Sequence, residues 1–259
     1  MRHPHLPPTS AAANVGGIVI PAPTSLPSER VGTLYVVSLP IGDPDDITLR
    51  ALRVLGDVSL IVAENATITR RFLHRCHITT ETVSLRPRRG GPAQAAALLR
   101  LSEGRGVAVV VDSGTPTLVD PGLTLIQSAL KHGHRVTAVP GASACLAALV
   151  ISGMPTSPCL FLGRPPRHDP ERSAFFAPLA RIQSTVILYE SPRYLRSTLT
   201  EIAQCLENTG KIVVACDLTH TTERIFRGTI SSAVSAFAGN NAPGVYTIVV
   251  AGKPSSAYS

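Results

Sequence analysis

Short apolar runs alternate with longer amphipathic stretches through the first half of the chain. The runs are rich in β-branched residues and end in Gly, Pro or Asp, which is typical of buried strands, whereas the longer stretches carry apolar residues at helical spacing. Strands are predicted at 34–39, 59–63, 105–112 and 135–141, and helices at 47–55, 67–78, 94–104 and 122–133. Asp46 directly precedes the first of these helices and is a candidate N-cap. This alternation predicts a largely parallel sheet with crossover helices.

The second half differs in pattern and is also predicted to be α/β. We expect an apolar helix at 142–153, an irregular basic segment at 154–180, strands at 185–192, 211–219 and 244–252, an amphipathic helix at 193–210, and a turn with a helix at 221–239. The predicted organisation is a disordered tail rich in Pro, Ala and Ser at 1–30, an N-terminal α/β domain at 31–141 and a C-terminal α/β domain at 142–253.

Composition narrows the classes of protein to which the chain can belong. Its formal net charge is +7 and its pI is about 9.5, so an anionic partner such as nucleic acid is expected. The chain has no apolar stretch long enough for a transmembrane helix. Its five cysteines form no C-x-x-C pair and show no zinc-ligand spacing. We therefore expect reduced thiols, no metal site and a cytoplasmic protein.

Loops rich in glycine and proline follow three successive predicted strands. Their sequences are LPIGDPDD, VDSGTPTLVDPG and VPGASA, and a later strand runs into LYESPR. Ligands of open α/β sheets bind beyond the carboxyl ends of the strands, and glycine lets the backbone approach a ligand closely. Each loop alone is more typical of an ordinary tight turn, but three such loops after successive strands predict a shared ligand site. The sequence lacks a P-loop, a Gly-x-Gly motif after a strand and a G-x-S-x-G motif, which disfavours nucleotide-phosphate sites and serine hydrolases.

The order of several motifs resembles the ribosomal RNA small subunit methyltransferase I family of the tetrapyrrole methylase superfamily. The motifs are LYVVSLPIGDPDDITLRALRVLGDVSLIVAEN, VDSGTPTLVDPG, VTAVPGASACLAAL, SGMPT, LYESPRYL and RGTI, and the resemblance covers about residues 32–252. It implies a tetrapyrrole methylase-like fold of two α/β domains, with S-adenosylmethionine in the cleft between them. It also implies 2′-O-methylation of a cytidine in small-subunit ribosomal RNA, and a homodimer.

The resemblance also implies which residues bind and react. The expected cofactor-binding residues are Pro40, Gly42, Asp112, Ser113, Gly114, Thr115, Pro116, Val119, Asp120, Gly141, Ser143, Ala144, Tyr189 and Gly244. The expected RNA-binding residues are Arg70, Arg71, Arg86, Arg88, Arg89, Arg164 and Arg167, which are clustered cations suited to phosphates. Glu64 is the first candidate for a general base, because it follows a strand and matches a family glutamate; Asp217 and Glu223 come next. Asp112 and Asp120 could equally be carboxylates that cap turns.

Departures from the family pattern keep two other functions open. The family's Glu-Asp-Thr-Arg is Glu64-Asn65-Ala66-Thr67 here, and its Arg-Glu-Leu-Thr-Lys is Cys-Asp-Leu-Thr-His at 216–220. The cofactor loops are kept, while polar residues expected on the substrate side are changed. The alternatives are a methyltransferase acting on a tetrapyrrole or another small molecule, and a non-catalytic RNA-binding relic.

The segment GRPPRHDP at 163–170 follows the predicted strand CLFLG and carries three basic side chains, those of Arg164, Arg167 and His168. Its prolines disfavour a helix and lower the entropy lost on binding, so we expect an exposed loop at the mouth of the cleft. The hypothesis is that this loop contacts the methyl acceptor and not the cofactor. A plain linker exposed to solvent is the alternative.

Overall fold

The computed structural model describes residues 14–15, 18–19, 31–85, 91–239 and 243–253. Strands β1 (Asn14–Val15) and β2 (Ile18–Val19) pair with each other in antiparallel orientation. The rest of the predicted 1–30 tail lies outside the described residues, as do Arg86, Arg88 and Arg89.

The first sheet has five strands and is entirely parallel. Its strands are β3 (Thr33–Val37), β4 (Leu60–Ala63), β5 (Thr82–Ser84), β6 (Val107–Val110) and β7 (Arg135–Val139), in the order β5-β4-β6-β3-β7. The helices between them are α1 (Leu49–Asp57), α2 (Ala66–Arg75), α3 (Pro92–Ser102) and α4 (Leu123–Lys131). The predicted parallel sheet is confirmed for this half. Every residue of β4 and β6 is buried, as expected for parallel strands covered on both faces.

The predicted N-cap of the first helix is wrong by two residues. Asp46 is the last residue of a short 3₁₀ helix, and α1 begins only at Leu49. Thr48 is the N-cap, and its hydroxyl oxygen accepts a hydrogen bond from the backbone N–H of Ala51 at 3.1 Å. Both Asp46 and Thr48 are good capping residues, and the sequence pattern does not decide between them.

The second sheet also has five strands but is mainly antiparallel. Its strands are β8 (Cys159–Gly163), β9 (Thr185–Glu190), β10 (Lys211–Cys216), β11 (Arg224–Thr229) and β12 (Tyr246–Val250), in the order β11-β10-β12-β9-β8. Only the β8–β9 pair is parallel among these described strands. The helices of this half are α5 (Ala144–Ile151), α6 (Glu171–Phe176), α7 (Pro192–Cys205) and α8 (Ile230–Ala236).

Two expectations for the second half are corrected. The segment 154–180, expected to be irregular apart from the strand CLFLG, contains α6 as well as that strand, β8. The turn expected in 221–239 is followed by β11, because Arg224–Thr229 pairs along its whole length with β10. Buried and exposed positions do not alternate regularly along this edge strand, so hydrophobic periodicity does not predict it.

The chain separates into two compact units. The first comprises 1–37, 47–112 and 121–140, and the second comprises 38–46, 113–120 and 141–259. The loops that follow β3 and β6 thus belong with the second unit, although their strands belong to the first. The domain boundary expected at residue 141 stays a prediction. No helix in the described part of the chain is long and apolar enough to cross a membrane.

Candidate functional site

The three glycine- and proline-rich loops meet within the second unit. Leu39 and Gly114 exchange two backbone hydrogen bonds, of 3.0 and 3.1 Å, which join the first loop to the second. The hydroxyl of Thr115 lies 3.0 Å from that of Ser38 and donates to the backbone carbonyl of Ala142 at 3.2 Å. A single threonine therefore connects all three loops, and none of these contacts is visible from sequence spacing alone.

Two glycines of these loops occupy positions where a side chain would not fit easily. A Cβ at Gly141 would lie 3.0 Å from the Cβ of Ser38, which is tighter than ordinary packing. Gly114 has a φ of +75°, in the left-handed region that favours glycine. The loops can therefore pack closely because both residues lack a side chain.

The second loop also carries backbone strain. Thr117 and Val119 are β-branched residues with φ values of +72° and +74°. Val119 is 44% exposed, and one of its methyl groups would lie 3.0 Å from a Cβ built on Gly163. Strained residues of this kind persist where the surrounding structure fixes them, and they are concentrated at ligand-binding sites. Ser113 is exposed and Pro116 is buried in the same loop.

Tyr189 fixes the start of α5, next to Ser143 and Ala144. Its hydroxyl oxygen accepts a hydrogen bond from the backbone N–H of Cys145 at 3.0 Å, and its ring packs edge-on against Phe161. Burial raises the pKa of Tyr189 to about 12, so the phenol is neutral at physiological pH. Tyr189 thus stabilises the backbone directly after the third loop.

The first loop packs against the segment 217–223. The backbone N–H of Asp43 donates to the hydroxyl of Thr219 at 2.9 Å, and a Cβ on Gly42 would lie 2.6 Å from the nitrogen of His220. Asp217 and Thr219 have φ values of +53° and +65°, so this segment is itself strained. Thr219 lies in the segment that matches the family's Arg-Glu-Leu-Thr-Lys, but it is not among the expected site residues.

Two of the three candidate bases hold this same segment in place. Asp217 accepts from the backbone N–H of Val245 at 3.0 Å and from the hydroxyl of Thr222 at 3.2 Å. Glu223 accepts from the backbone N–H of Thr219 at 2.8 Å. Gly244, expected in the cofactor site, lies against Asp217, where a Cβ would be 2.6 Å from a carboxylate oxygen. The contacts of both acids are those of residues that stabilise a loop.

The remaining candidate base, Glu64, belongs to a pair of carboxylates in the first unit. Glu64 and Asp112 follow the adjacent strands β4 and β6, and Glu64 accepts from the backbone N–H of Asp112 at 3.2 Å. Burial, and secondarily the charge of Glu64, raise the pKa of the Asp112 carboxyl, while a hydrogen bond from the backbone of Asn65 opposes the change. One buried oxygen of Asp112 has no hydrogen-bond partner among the described residues. The pair therefore offers acceptor capacity to a ligand.

The expected RNA-binding arginines differ in their exposure and in the contacts that their side chains make within the protein. Arg71 and Arg164 are exposed, whereas Arg70 donates to the backbone carbonyl of Thr82 at 3.2 Å. Arg167 forms an ion pair with buried Glu190 at 3.0 Å. The segment 164–170 contains no helix or strand, as predicted, but Arg167 is only partly exposed.

The residues present fit the expected cofactor, S-adenosylmethionine. Its ribose hydroxyls and amino group are hydrogen-bond donors, which match the unpaired oxygen of Asp112 and the backbone carbonyls of the proline-containing loops. Its apolar parts match exposed Val119 and the apolar start of α5. Among the residues that the structure describes, no group of His, Cys, Asp and Glu side chains could hold a metal ion. The role of each residue remains a proposal, as does a site between two domains.

Comparison with known proteins places the chain in a family. The family model of the Tetrapyrrole (Corrin/Porphyrin) Methylases matches residues 33–234. The ribosomal RNA small subunit methyltransferase I of Halalkalibacterium halodurans is 36% identical over 221 residues, covering 85% of this chain and 76% of that protein. The protein of the same name from Thermotoga maritima is 34% identical and covers 86% of this chain and 100% of that protein.

Solved structures share the fold. A cobalt precorrin-4 methyltransferase is 18% identical with a TM-score of 0.65, covering 88% of this chain and 98% of that one. A uroporphyrin-III C-methyltransferase from Thermus thermophilus, complexed with S-adenosylhomocysteine, is 18% identical with a TM-score of 0.59 and covers 84% of this chain and 97% of that one. The chain therefore belongs to the ribosomal RNA small subunit methyltransferase I family, has the tetrapyrrole methylase fold, and is an S-adenosylmethionine-dependent methyltransferase.

Proposed function

We propose that the protein transfers a methyl group to the ribose 2′-hydroxyl of a cytidine in small-subunit ribosomal RNA. The observation that carries this proposal is the identity of 34–36% to relatives that bear the ribosomal RNA methyltransferase name, over most of the chain. The assembly of the three loops around Thr115 supports it, because the cofactor motifs form one connected structure.

In the proposed site, the second unit holds the cofactor. Pro40, Gly114 and Thr115 present backbone groups and a hydroxyl, while Val119 offers an apolar surface. When bound, S-adenosylmethionine supplies a methyl group already activated by the sulfonium. The protein therefore needs mainly to align the acceptor oxygen with that methyl group, and ideal alignment can contribute about 7–11 kcal/mol.

Glu64 is the proposed general base. A ribose hydroxyl is a weak acid, so removal of its proton as the oxygen bonds to the methyl carbon lowers the barrier. The proton passes to the Glu64 carboxylate, and the electrons of the broken carbon–sulfur bond stay on sulfur. Glu64 is oriented by the backbone N–H of Asp112, which leaves its second oxygen available. Asp217 and Glu223 are weaker candidates because their contacts stabilise the 217–223 segment.

The proposed RNA-binding residues are exposed cations. Arg71 lies on α2, and Arg164 lies on the loop after β8. The net charge of +7 supports an anionic acceptor, since cations that neutralise phosphates release counterions and strengthen binding. Arg70 and Arg167 remain candidates, although both already make contacts within the protein.

A homodimer is part of the proposal. Helix α5 exposes Leu146, Val150 and Ile151, at 59%, 69% and 38% of their surfaces, and such a concentration of apolar surface favours association. Sedimentation of a monomer alone at micromolar concentration would contradict the dimer.

The second candidate is methylation of a tetrapyrrole. It is favoured by the solved neighbours, whose names refer to uroporphyrin and precorrin substrates, and carboxylate-rich substrates would suit the same arginines. The identity to those proteins is only 17–20%, against 34–36% for the ribosomal RNA methyltransferases, so the RNA acceptor is preferred.

Incubation with labelled S-adenosylmethionine and separate acceptors distinguishes the candidates. We expect label to enter small-subunit RNA, supplied as free RNA or as assembled subunits, and not uroporphyrinogen or precorrins. Label in the tetrapyrroles alone would favour the second candidate. Binding of RNA without any transfer would identify the protein as a non-catalytic RNA-binding relic.

A further inference from the structure

Two arginines converge on a tyrosine where the loop after β8 meets the first turn of α7. The guanidinium of Arg167 lies 4.2 Å from the centroid of the Tyr194 ring, and that of Arg193 lies 5.4 Å from the same centroid. Arg164 lies three residues before Arg167 and is exposed, as is Arg193. Arg193 and Tyr194 end the LYESPRYL motif, but neither is among the expected cofactor-binding residues.

The Arg167 side chain forms an ion pair with a buried carboxylate. The side chain of Glu190, at the end of β9, is fully buried and accepts from Arg167 at 3.0 Å, from the backbone N–H of Ser191 at 2.7 Å and from the hydroxyl of Thr198 at 2.7 Å. A buried carboxylate is tolerated only with such partners. The charge of Arg167 is therefore compensated within the protein, so it adds little to the attraction of a phosphate.

A buried arginine, Arg172, connects the same loop to α7. Arg172 donates to the carbonyl of Pro166 at 2.8 Å, to the carboxylate of Glu201 at 2.6 Å and to the hydroxyl of Thr198 at 3.0 Å. Thr198 thus joins the contacts of Arg172 to those of Glu190. The loop is fixed on both sides of Arg167, and Arg164 is presented from an ordered segment, not a free linker.

Neither Arg164 nor Arg193 has an acidic partner within the described part of the chain. Arg193 is also in the first turn of α7, where a positive charge is unfavourable with the helix dipole. Helix stability therefore does not explain why a cation lies there.

We propose that Arg164 and Arg193 form a phosphate-binding surface for single-stranded RNA beside Tyr194, and that Arg167 is a positioning residue for it. This rests on the proposed RNA acceptor. Arginine guanidiniums bind phosphates in bidentate geometry, and arginines beside an aromatic ring are typical of surfaces that bind unpaired RNA. RNA is favoured over an acidic protein surface because the cluster combines uncompensated planar cations with a partly exposed aromatic ring.

The test is Arg193→Ala, with Arg181→Ala as the matched control, since Arg181 is exposed in the same unit and makes no ion pair within the described residues. Binding of small-subunit RNA and of S-adenosylmethionine is measured across salt concentrations. Arg193→Ala should weaken RNA binding about tenfold at low salt and make the salt slope shallower by about one unit. Cofactor affinity should stay unchanged, and the melting temperature should not fall, because alanine favours the helix.

Glu190→Gln tests the positioning role. If Arg167 bound phosphate itself, release from Glu190 would strengthen RNA binding and steepen the salt slope; if it positions the surface, binding weakens and the slope does not steepen. If Arg193→Ala and Arg181→Ala bind RNA with the same affinity and the same salt slope, this inference alone would be overturned. Wild-type protein that binds RNA but transfers no methyl group would overturn the proposed function alone. Wild-type protein that binds no RNA would overturn this inference, whatever the acceptor.

Discussion

Replacing Glu64 with glutamine is expected to lower kcat for RNA methylation by about 100- to 10,000-fold, the usual contribution of a general base. Glutamine keeps an oxygen that can accept the hydrogen bond from the backbone of Asp112, so the fold should be preserved. The charge of Glu64 is also one cause of the raised pKa of Asp112, so this substitution should lower that pKa. The measurement is single-turnover transfer from labelled S-adenosylmethionine as a function of pH.

The pH dependence of stability has a definite sign, which follows from the raised pKa of Asp112. A folded-state pKa raised above its unfolded value means that ionised Asp112 costs stability at neutral pH. The loss of repulsion in Glu64→Gln should therefore not lower the melting temperature at pH 7.

Glu81→Gln is the matched control for this change. The Glu81 side chain forms a surface ion pair with Arg100 at 3.3 Å and is 57% exposed. Its substitution should leave kcat unchanged. Full activity of Glu64→Gln would exclude Glu64 as the base and direct attention to Asp217 and Glu223.

Replacing Gly42 with alanine is expected to lower cofactor affinity at least tenfold, which corresponds to about 1.4 kcal/mol. The new methyl group would lie 2.6 Å from the nitrogen of His220 and from the carbonyl oxygen of Leu218, and backbone atoms cannot move aside cheaply. The first loop would have to shift, and it carries Leu39 and Ser38, which bind the second loop. Such overpacking costs about 1–3 kcal/mol, so the melting temperature should fall by about 2–10 °C.

Gly56→Ala controls for the effect of alanine itself. A Cβ at Gly56 would meet nothing within 4 Å, and the residue lies inside helix α1. This change should raise stability by about 0.5–1 kcal/mol and leave cofactor binding unchanged. Calorimetric titration with S-adenosylhomocysteine measures both variants. Wild-type affinity in Gly42→Ala would show that the first loop does not shape the cofactor site.

The parallel sheet was predictable because its strands are buried on both faces and read as continuous apolar runs, as β4 and β6 do. β5 has only three residues, and β11 is an edge strand with exposed Arg224 and Arg227, so both lack a clear period. Asp46 and Thr48 are equivalent as capping residues in sequence, and only the helix start distinguishes them.

The candidate site was predictable as motifs but not as contacts. The loops are recognisable from their glycines and prolines, whereas their connection through Thr115 joins residues 77 and 27 positions apart. The pairing of Glu64 with Asp112 needs the strand order, in which β4 lies beside β6. The compensation of Arg167 by Glu190 likewise depends on a tertiary contact, so its sequence context indicates only an exposed basic loop.

Nucleoside mass spectrometry of methylated small-subunit RNA tests the central claim most directly. Wild-type protein is incubated with S-adenosylmethionine carrying a deuterated methyl group and with small-subunit RNA that lacks this modification. The RNA is then digested to nucleosides. We expect the label in 2′-O-methylcytidine, and its loss in Glu64→Gln. Label on the base of any nucleoside, or label found only in a tetrapyrrole, would contradict the account.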